Sequence, residues 1–122
     1  MAFGAASNIG RAGEFFAAYK LQLTGLEVSH VNGSCDLHVT LPSRLLLRLE
    51  VKTAQATTKH GSYKFRKGGS DSDYYAMVAL PEKMMRVFHV SELTTKGMTT
   101  LRPESFTQQA EDDDIARLMS LE

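Results

Sequence analysis

Apolar and polar residues alternate most regularly in the middle of the chain, on either side of a short turn. The stretch from Cys35 to Leu41 alternates, and after Pro42-Ser43 the stretch from Arg44 to Lys52 alternates again. Successive side chains of a strand point to opposite faces, so each stretch predicts a strand with one apolar face. Two such strands around a short turn predict a β-hairpin.

The register of this hairpin follows from its apolar faces, because a slip of one residue would set every leucine opposite a polar residue. This criterion pairs Leu37 with Leu49, Val39 with Leu47, and Asp36 with Glu50. Opposed side chains have Cβ atoms about 4.5–5.5 Å apart, and like charges at that distance destabilise a sheet. The two carboxylates therefore need a reason to face each other, and Lys52 lies two residues further along the same face.

Periodicity predicts further elements on both sides of the hairpin. Ser7 to Leu23 has helical spacing, with an apolar face predicted to comprise Ile9, Ala12, Phe16, Tyr19 and Leu23. The remaining predictions are a strand at Leu26–Val31, a basic strand at Ser62–Arg66, a second hairpin of Tyr74–Leu80 with Met84–Val90, and a helical tail from about Glu111. The fold class is then α/β with a mixed α+β sheet, in which a central sheet follows an N-terminal helix and a further helix flanks it.

Composition limits this picture to an ordinary domain. With 122 residues, 43% apolar and 23% charged, we expect one domain over 1–122, with a core at 1–102 and an acidic helical tail at 103–122. One cysteine excludes a disulfide scaffold and a cysteine-built zinc site, and it suits a reducing compartment. No targeting or membrane-spanning stretch is evident, so we expect a cytoplasmic protein without a membrane partner.

The charge is unevenly distributed along the chain. Fourteen basic and fourteen acidic residues cancel, which at first argues against nucleic acid. Residues 1–67, however, hold nine Lys and Arg against four Asp and Glu, a net of +5, while residues 68–122 hold five against ten, a net of −5. Such asymmetry between halves is itself a nucleic-acid signal. Three of the four acids in the basic half are Glu14, Asp36 and Glu50.

A divalent cation would explain why Asp36 faces Glu50. Mg²⁺ prefers oxygen ligands and is usually held by one or two carboxylates, water and a substrate phosphate. Lys52 would then lie beside the ion, where it can orient a water and offset charge in a transition state. The alternative is a solvated polar sheet face without a site.

A set of short motifs resembles the PD-(D/E)XK nuclease superfamily. These are Gly13-Glu14-Phe15-Phe16, Cys35-Asp36-Leu37, Glu50-Val51-Lys52-Thr53-Ala54 and Asp73-Tyr74-Tyr75-Ala76 with the later Val87–Val90 strand. They are similar to a branch of small bacterial and phage endonucleases that is related to archaeal-type Holliday junction resolvases and to some homing endonucleases. Two departures stand out: Cys35 replaces the proline of the name, and no clear helix lies between Lys52 and Tyr74, where the usual core carries one.

The resemblance implies a role for each residue of the constellation. Asp36 and Glu50 would be metal ligands with the Val51 carbonyl as a third, Glu14 would complete or water-bridge the site, and Lys52 would be the catalytic lysine. The implied enzyme is a Mg²⁺-dependent DNA endonuclease, with Mn²⁺ expected to substitute, from a bacterial, archaeal or phage source. For Glu14 the alternative is a solvated acid on the first turns of the helix.

The resemblance leaves the substrate of the enzyme open. The leading interpretation is a homodimeric, structure-selective enzyme that acts on branched or junction DNA in recombination and repair, because a minimal core leaves little chain for reading bases. The alternatives are a sequence-specific homing or restriction-type endonuclease, a catalytically silent nucleic-acid-binding module, and an RNA nuclease.

Basic residues next to aromatic ones suggest where DNA would lie. Lys59, Lys64, Arg66 and Lys67 are interleaved with His60, Tyr63 and Phe65, a pattern suited to contact with the phosphate backbone. The alternative is a charged edge strand protected against aggregation. Arg11 precedes Glu14 by three residues and is a further phosphate candidate on the same side of the helix.

Overall fold

A computed structural model describes residues 6–31, 35–66, 71–93 and 97–122 of the chain. Its elements are α1 (Ala6–Leu23), β1 (Glu27–His30), β2 (Leu37–Thr40), β3 (Leu46–Ala54), β4 (Tyr63–Arg66), β5 (Tyr74–Ala79), β6 (Met84–His89), β7 (Met98–Leu101) and α2 (Gln108–Met119). The mixed α+β architecture predicted from the sequence is confirmed, with both hairpins present. In the residues described, neither helix is long and apolar enough to cross a membrane.

The main sheet has five strands in the order β1-β2-β3-β5-β6. All neighbours are antiparallel except β3 and β5, which run parallel. In the β2–β3 hairpin, Leu37 lies opposite Leu49 and Val39 opposite Leu47, which confirms the register inferred from the apolar faces. The ladder ends at Leu37, however, so Asp36 and Glu50 are not a ladder pair.

Helix α1 buries a different face from the one expected. Tyr19 and Leu23, predicted to be buried, are 59% and 67% exposed, and Ala12 is exposed too. The face against the sheet is formed instead by small residues with one leucine, namely Gly13, Ala17, Ala18 and Leu21. Small side chains let the helix approach the sheet closely, and this packing outweighs the burial that the larger side chains would have gained.

The two faces of the sheet belong to two separate cores. Leu47, Leu49 and Val51 of β3 face the core beneath α1, to which α2 contributes Ile115 and Leu118. Ala54 belongs to the opposite core, which the antiparallel β4–β7 ribbon covers with Tyr63 and Phe65. Alternation along β3 therefore assigns the side chains of Glu50 and Lys52 to the ribbon side of the sheet.

Helix α2 begins earlier than the acidic run suggested. Thr107 is its N-cap, and the Thr107 hydroxyl oxygen accepts a hydrogen bond from the Ala110 N–H at 3.1 Å. Two carboxylates of the helix point into the fold. Glu111 Oε1 accepts from the Met85 N–H at 2.9 Å and Asp114 Oδ2 from the Val87 N–H at 2.8 Å. Since β6 is the edge strand, these carboxylates accept the N–H groups that a neighbouring strand would otherwise bind, and they protect the edge from pairing with another chain.

Candidate active site

The site is built around the middle of β3, where two charged side chains share one face. Lys52 Nζ lies 3.1 Å from Glu50 Oε2, and both side chains are largely buried. Val51 between them points into the core beneath α1 and is 7% exposed. The buried valine fixes the orientation of the strand, and the strand in turn directs both charged groups to the same side.

Asp36 immediately precedes β2 and lies beside β3. Its backbone N–H donates to the Leu49 carbonyl at 3.1 Å, and its Oδ2 accepts from the Val51 N–H at 2.8 Å. In an antiparallel strand the N–H and C=O of one residue point to the same side. The Val51 carbonyl is therefore directed toward the side on which Asp36 lies, as the predicted third oxygen ligand would have to be.

Glu14 reaches this region because α1 packs tightly on β3. The preceding residue, Gly13, is buried against Thr53, and a Cβ atom at position 13 would overlap the Thr53 side chain. Thr53 follows Lys52 in β3 but faces α1, so this contact fixes the helix on the face of β3 opposite the Glu50 and Lys52 side chains. The absence of a side chain at position 13 thus determines how close Glu14 comes to the sheet.

We predict that Gly13→Ala destabilises the protein by about 1–3 kcal/mol, because the added methyl group overpacks the contact with Thr53. Gly10→Ala on the same helix is the matched control, since a Cβ there meets nothing within 4 Å. Replacing this helical glycine should stabilise the protein by up to about 1 kcal/mol. Urea unfolding measures both changes, and equal stability of the two variants would contradict the proposed tight contact.

The electrostatics of Glu14 link it to the two other carboxylates. Burial raises the pKa of Glu14, and the negative charge of Asp36 raises it further, with a smaller contribution from Glu50. His30 and Arg11 act in the opposite direction and lower this pKa. Glu14 thus lies within electrostatic reach of both Asp36 and Glu50, and their negative charges disfavour ionisation of Glu14.

The donor set fits a hard divalent cation. Asp36, Glu50 and the Val51 carbonyl offer oxygen, the ligand atom that Mg²⁺ prefers, and Mg²⁺ commonly takes one or two carboxylates and keeps several waters. In the part of the chain that the structure describes, no three His, Cys, Asp or Glu side chains form a ready cluster for an ion. A site that relies on two carboxylates and water does not require such a cluster.

The predicted DNA-contacting residues fall into two groups. Arg11 is exposed on α1 and lines a small cleft together with Glu14. Lys64 and Arg66 are exposed on β4, while Tyr63 and Phe65, which alternate with them, are buried in the ribbon core. Lys59 is exposed in the segment before that strand, and Lys67 lies outside the described residues.

Sequence reasoning missed the position of His30. The β1–β2 pairing sets His30 opposite Leu37, next to Asp36, and the ring contacts Phe15 with centroids 4.8 Å apart. The signal that could have found it is the register between β1 and β2. That register is weakly encoded because the side chains of Glu27, Ser29 and His30 in β1 are all exposed.

Comparison with solved structures shows a likeness to a known endonuclease. A solved structure described as a bacterial homing endonuclease, I-Ssp6803I, superposes with a TM-score of 0.74 at 18% sequence identity. The alignment covers 98% of this chain and 100% of that chain. No protein-family model and no curated protein sequence matches the chain. The chain therefore shares the fold of that endonuclease over nearly its whole length.

Proposed function

We propose that the protein is a metal-dependent DNA endonuclease of the PD-(D/E)XK type. The observation that carries the proposal is the 2.8 Å hydrogen bond from the Val51 N–H to Asp36 Oδ2, because Val51 lies between Glu50 and Lys52 on β3. Two further observations support it: the 3.1 Å ion pair of Lys52 with Glu50, and the pKa of Glu14, which burial raises most and the charges of Asp36 and Glu50 raise further. The fold shared with a homing endonuclease adds independent support.

Each residue has a defined part in phosphodiester hydrolysis. A bound Mg²⁺ or Mn²⁺ ion would polarise the phosphate and make water a better nucleophile. Asp36 and Glu50 would hold the ion with the Val51 carbonyl, and Glu14 would position a water from the helix side. Lys52, held by Glu50, would orient the attacking water and offset charge that develops on the phosphate oxygens.

For substrate selectivity, we favour the homing or restriction-type interpretation over junction resolution. A minimal core favours junction DNA because it leaves little chain for reading bases. The neighbour described as a homing endonuclease weighs against this, since its alignment with the present chain covers 100% of that chain. A chain of this size is therefore compatible with recognition of a specific site.

We further propose that two copies of the chain act together on DNA. One site of this kind hydrolyses one phosphodiester bond, so cutting both strands of a duplex calls for two sites. A symmetric homodimer supplies them with matching geometry. Light scattering of the protein, alone and with duplex DNA, measures this directly, and a strictly monomeric protein on cleaved duplex would contradict it.

A panel of DNA substrates tests the proposed function and its selectivity together. The purified protein is incubated with a labelled four-way junction, a long linear duplex and a single strand, in Mg²⁺ and in EDTA. We expect cutting in Mg²⁺ and none in EDTA, with discrete duplex fragments if recognition is site-specific. Cutting confined to the junction would instead favour a resolvase, and no cutting of any substrate would contradict the endonuclease proposal.

A further inference from the structure

A small cleft opens between α1 and the end of β1, on the helix side of the candidate metal site. It is lined by Arg11, Glu14, Phe15, His30 and Val31 and has a volume of about 120 Å³. Pockets for drug-sized molecules measure about 300–1,000 Å³, so this cleft suits one small polar group. Val31 forms part of its wall and donates its N–H to the Asp36 carbonyl at 3.1 Å, which places the cleft beside Asp36.

Hydrogen-bond donors outnumber acceptors among the exposed side chains of the cleft. Arg11 is exposed, and no carboxylate of the described chain lies within the 4.0 Å limit of an ion pair to it. A guanidinium offers five N–H donors, and an imidazole offers at least one in either protonation state. His30 is also exposed, and its ring is held against Phe15. Such an arrangement suits an oxyanion.

The charges around the cleft agree with this assignment. Arg11 and His30 line the cleft together with Glu14, and both lower the pKa of Glu14. Glu14 is the acid on the wall, with Asp36 and Glu50 beyond it. Their negative charge would be offset by the cation that the proposed function requires, which leaves Arg11 and His30 as the groups available to an incoming anion.

Resting on the proposed endonuclease function, we propose that the Arg11–His30 cleft binds the backbone phosphate adjacent to the one being cut, with His30 as a positioning residue. A phosphate held there fixes the register of the DNA strand relative to Asp36, Glu50 and Lys52. Phe15 supports this role by fixing the plane of the His30 ring. The cleft thus contributes to where the strand lies and leaves the chemistry to the four residues of the active site.

Neutralising single phosphates tests this proposal. After the cut position is mapped, duplexes carrying one methylphosphonate at each flanking position are cleaved under single-turnover conditions. The concentration giving half-maximal rate is measured for the wild-type protein, Arg11→Ala and His30→Ala. Tyr19→Ala, an exposed residue of α1 outside the cleft, is the control.

We expect one flanking methylphosphonate to raise the half-maximal concentration for the wild-type protein about 10-fold, in line with the loss of a charged hydrogen bond. Arg11→Ala and His30→Ala should weaken binding of unmodified DNA and show little additional loss with the same methylphosphonate, since the contact is already gone. Tyr19→Ala should behave as the wild type.

If the losses caused by the substitution and by the methylphosphonate multiply at every flanking position while the wild-type protein still cuts, only the cleft assignment is overturned. A wild-type protein that cuts no DNA would overturn the proposed function and the cleft assignment with it. The two failures are therefore distinguishable, because the first requires efficient cleavage and the second excludes it.

Discussion

Asp36→Asn is expected to lower the rate of DNA cleavage by at least about 10²–10³-fold, since it removes a charged ligand from the centre that stabilises the transition state. The variant should still fold. Asparagine keeps a carbonyl oxygen that can accept the Val51 N–H bond, which Asp36 Oδ2 now accepts at 2.8 Å. Single-turnover cleavage in Mg²⁺ measures the loss, and DNA affinity should change far less than the rate.

Asp73→Asn is the matched control for this variant. Asp73 also stands at the start of a strand and accepts a backbone N–H of β3, that of Arg48 at 3.3 Å, and its Oδ1 lies 3.1 Å from the Arg48 guanidinium. These contacts join the residue before β5 to β3. Cleavage by Asp73→Asn should stay near the wild-type rate. Equal losses in both variants would show that Asp36 acts through structure alone.

The second large effect is expected from Asp114→Ala, which should lower the free energy of unfolding by about 3–5 kcal/mol. Asp114 is 3% exposed and accepts hydrogen bonds from the Val87 N–H and the Arg86 side chain, both at 2.8 Å. It also pairs with Arg117 at 2.7 Å. Its loss leaves a largely buried guanidinium and an edge-strand N–H without their acceptor.

Asp113→Ala provides the comparison, because it removes a carboxylate from the adjacent, exposed position of the same helix. Surface substitutions of this kind usually change stability by less than about 0.5 kcal/mol. Chemical denaturation of both variants distinguishes the effect of losing the buried carboxylate from the effect of lowering the negative charge of the helix. Similar losses for the two would contradict the role assigned to Asp114 at the edge of the sheet.

The sequence was informative where one face of an element is buried in a strict pattern. The β2–β3 register could be inferred because Leu37, Val39, Leu47 and Leu49 must share a core, and that register led to the candidate carboxylates. It could not show that Asp36 leaves the ladder. A hydrogen bond from the Val51 N–H to a side chain replaces the backbone pairing there, and alternation carries no information about such local exchanges.

Non-local packing limited the rest of the prediction. The buried face of α1 depends on how closely Gly13 approaches Thr53, a contact across 40 residues of sequence that the spacing of large apolar residues does not reveal. The pairing of β4 with β7 is similarly distant, as is the capping of β6 by Glu111 and Asp114. These contacts are made by single side chains and short strands, so they leave no periodic pattern in the sequence.

The decisive measurement is the Mg²⁺ dependence of phosphodiester hydrolysis by the purified wild-type protein on a pool of supercoiled plasmids with random inserts, in which a specific site is represented. We expect part of the pool to become nicked and linear in Mg²⁺ or Mn²⁺, no conversion in EDTA, and recovery of cutting when Mg²⁺ is restored. A pool that stays entirely supercoiled in both metals, or one that is cut equally in EDTA, would contradict the proposed metal-dependent endonuclease.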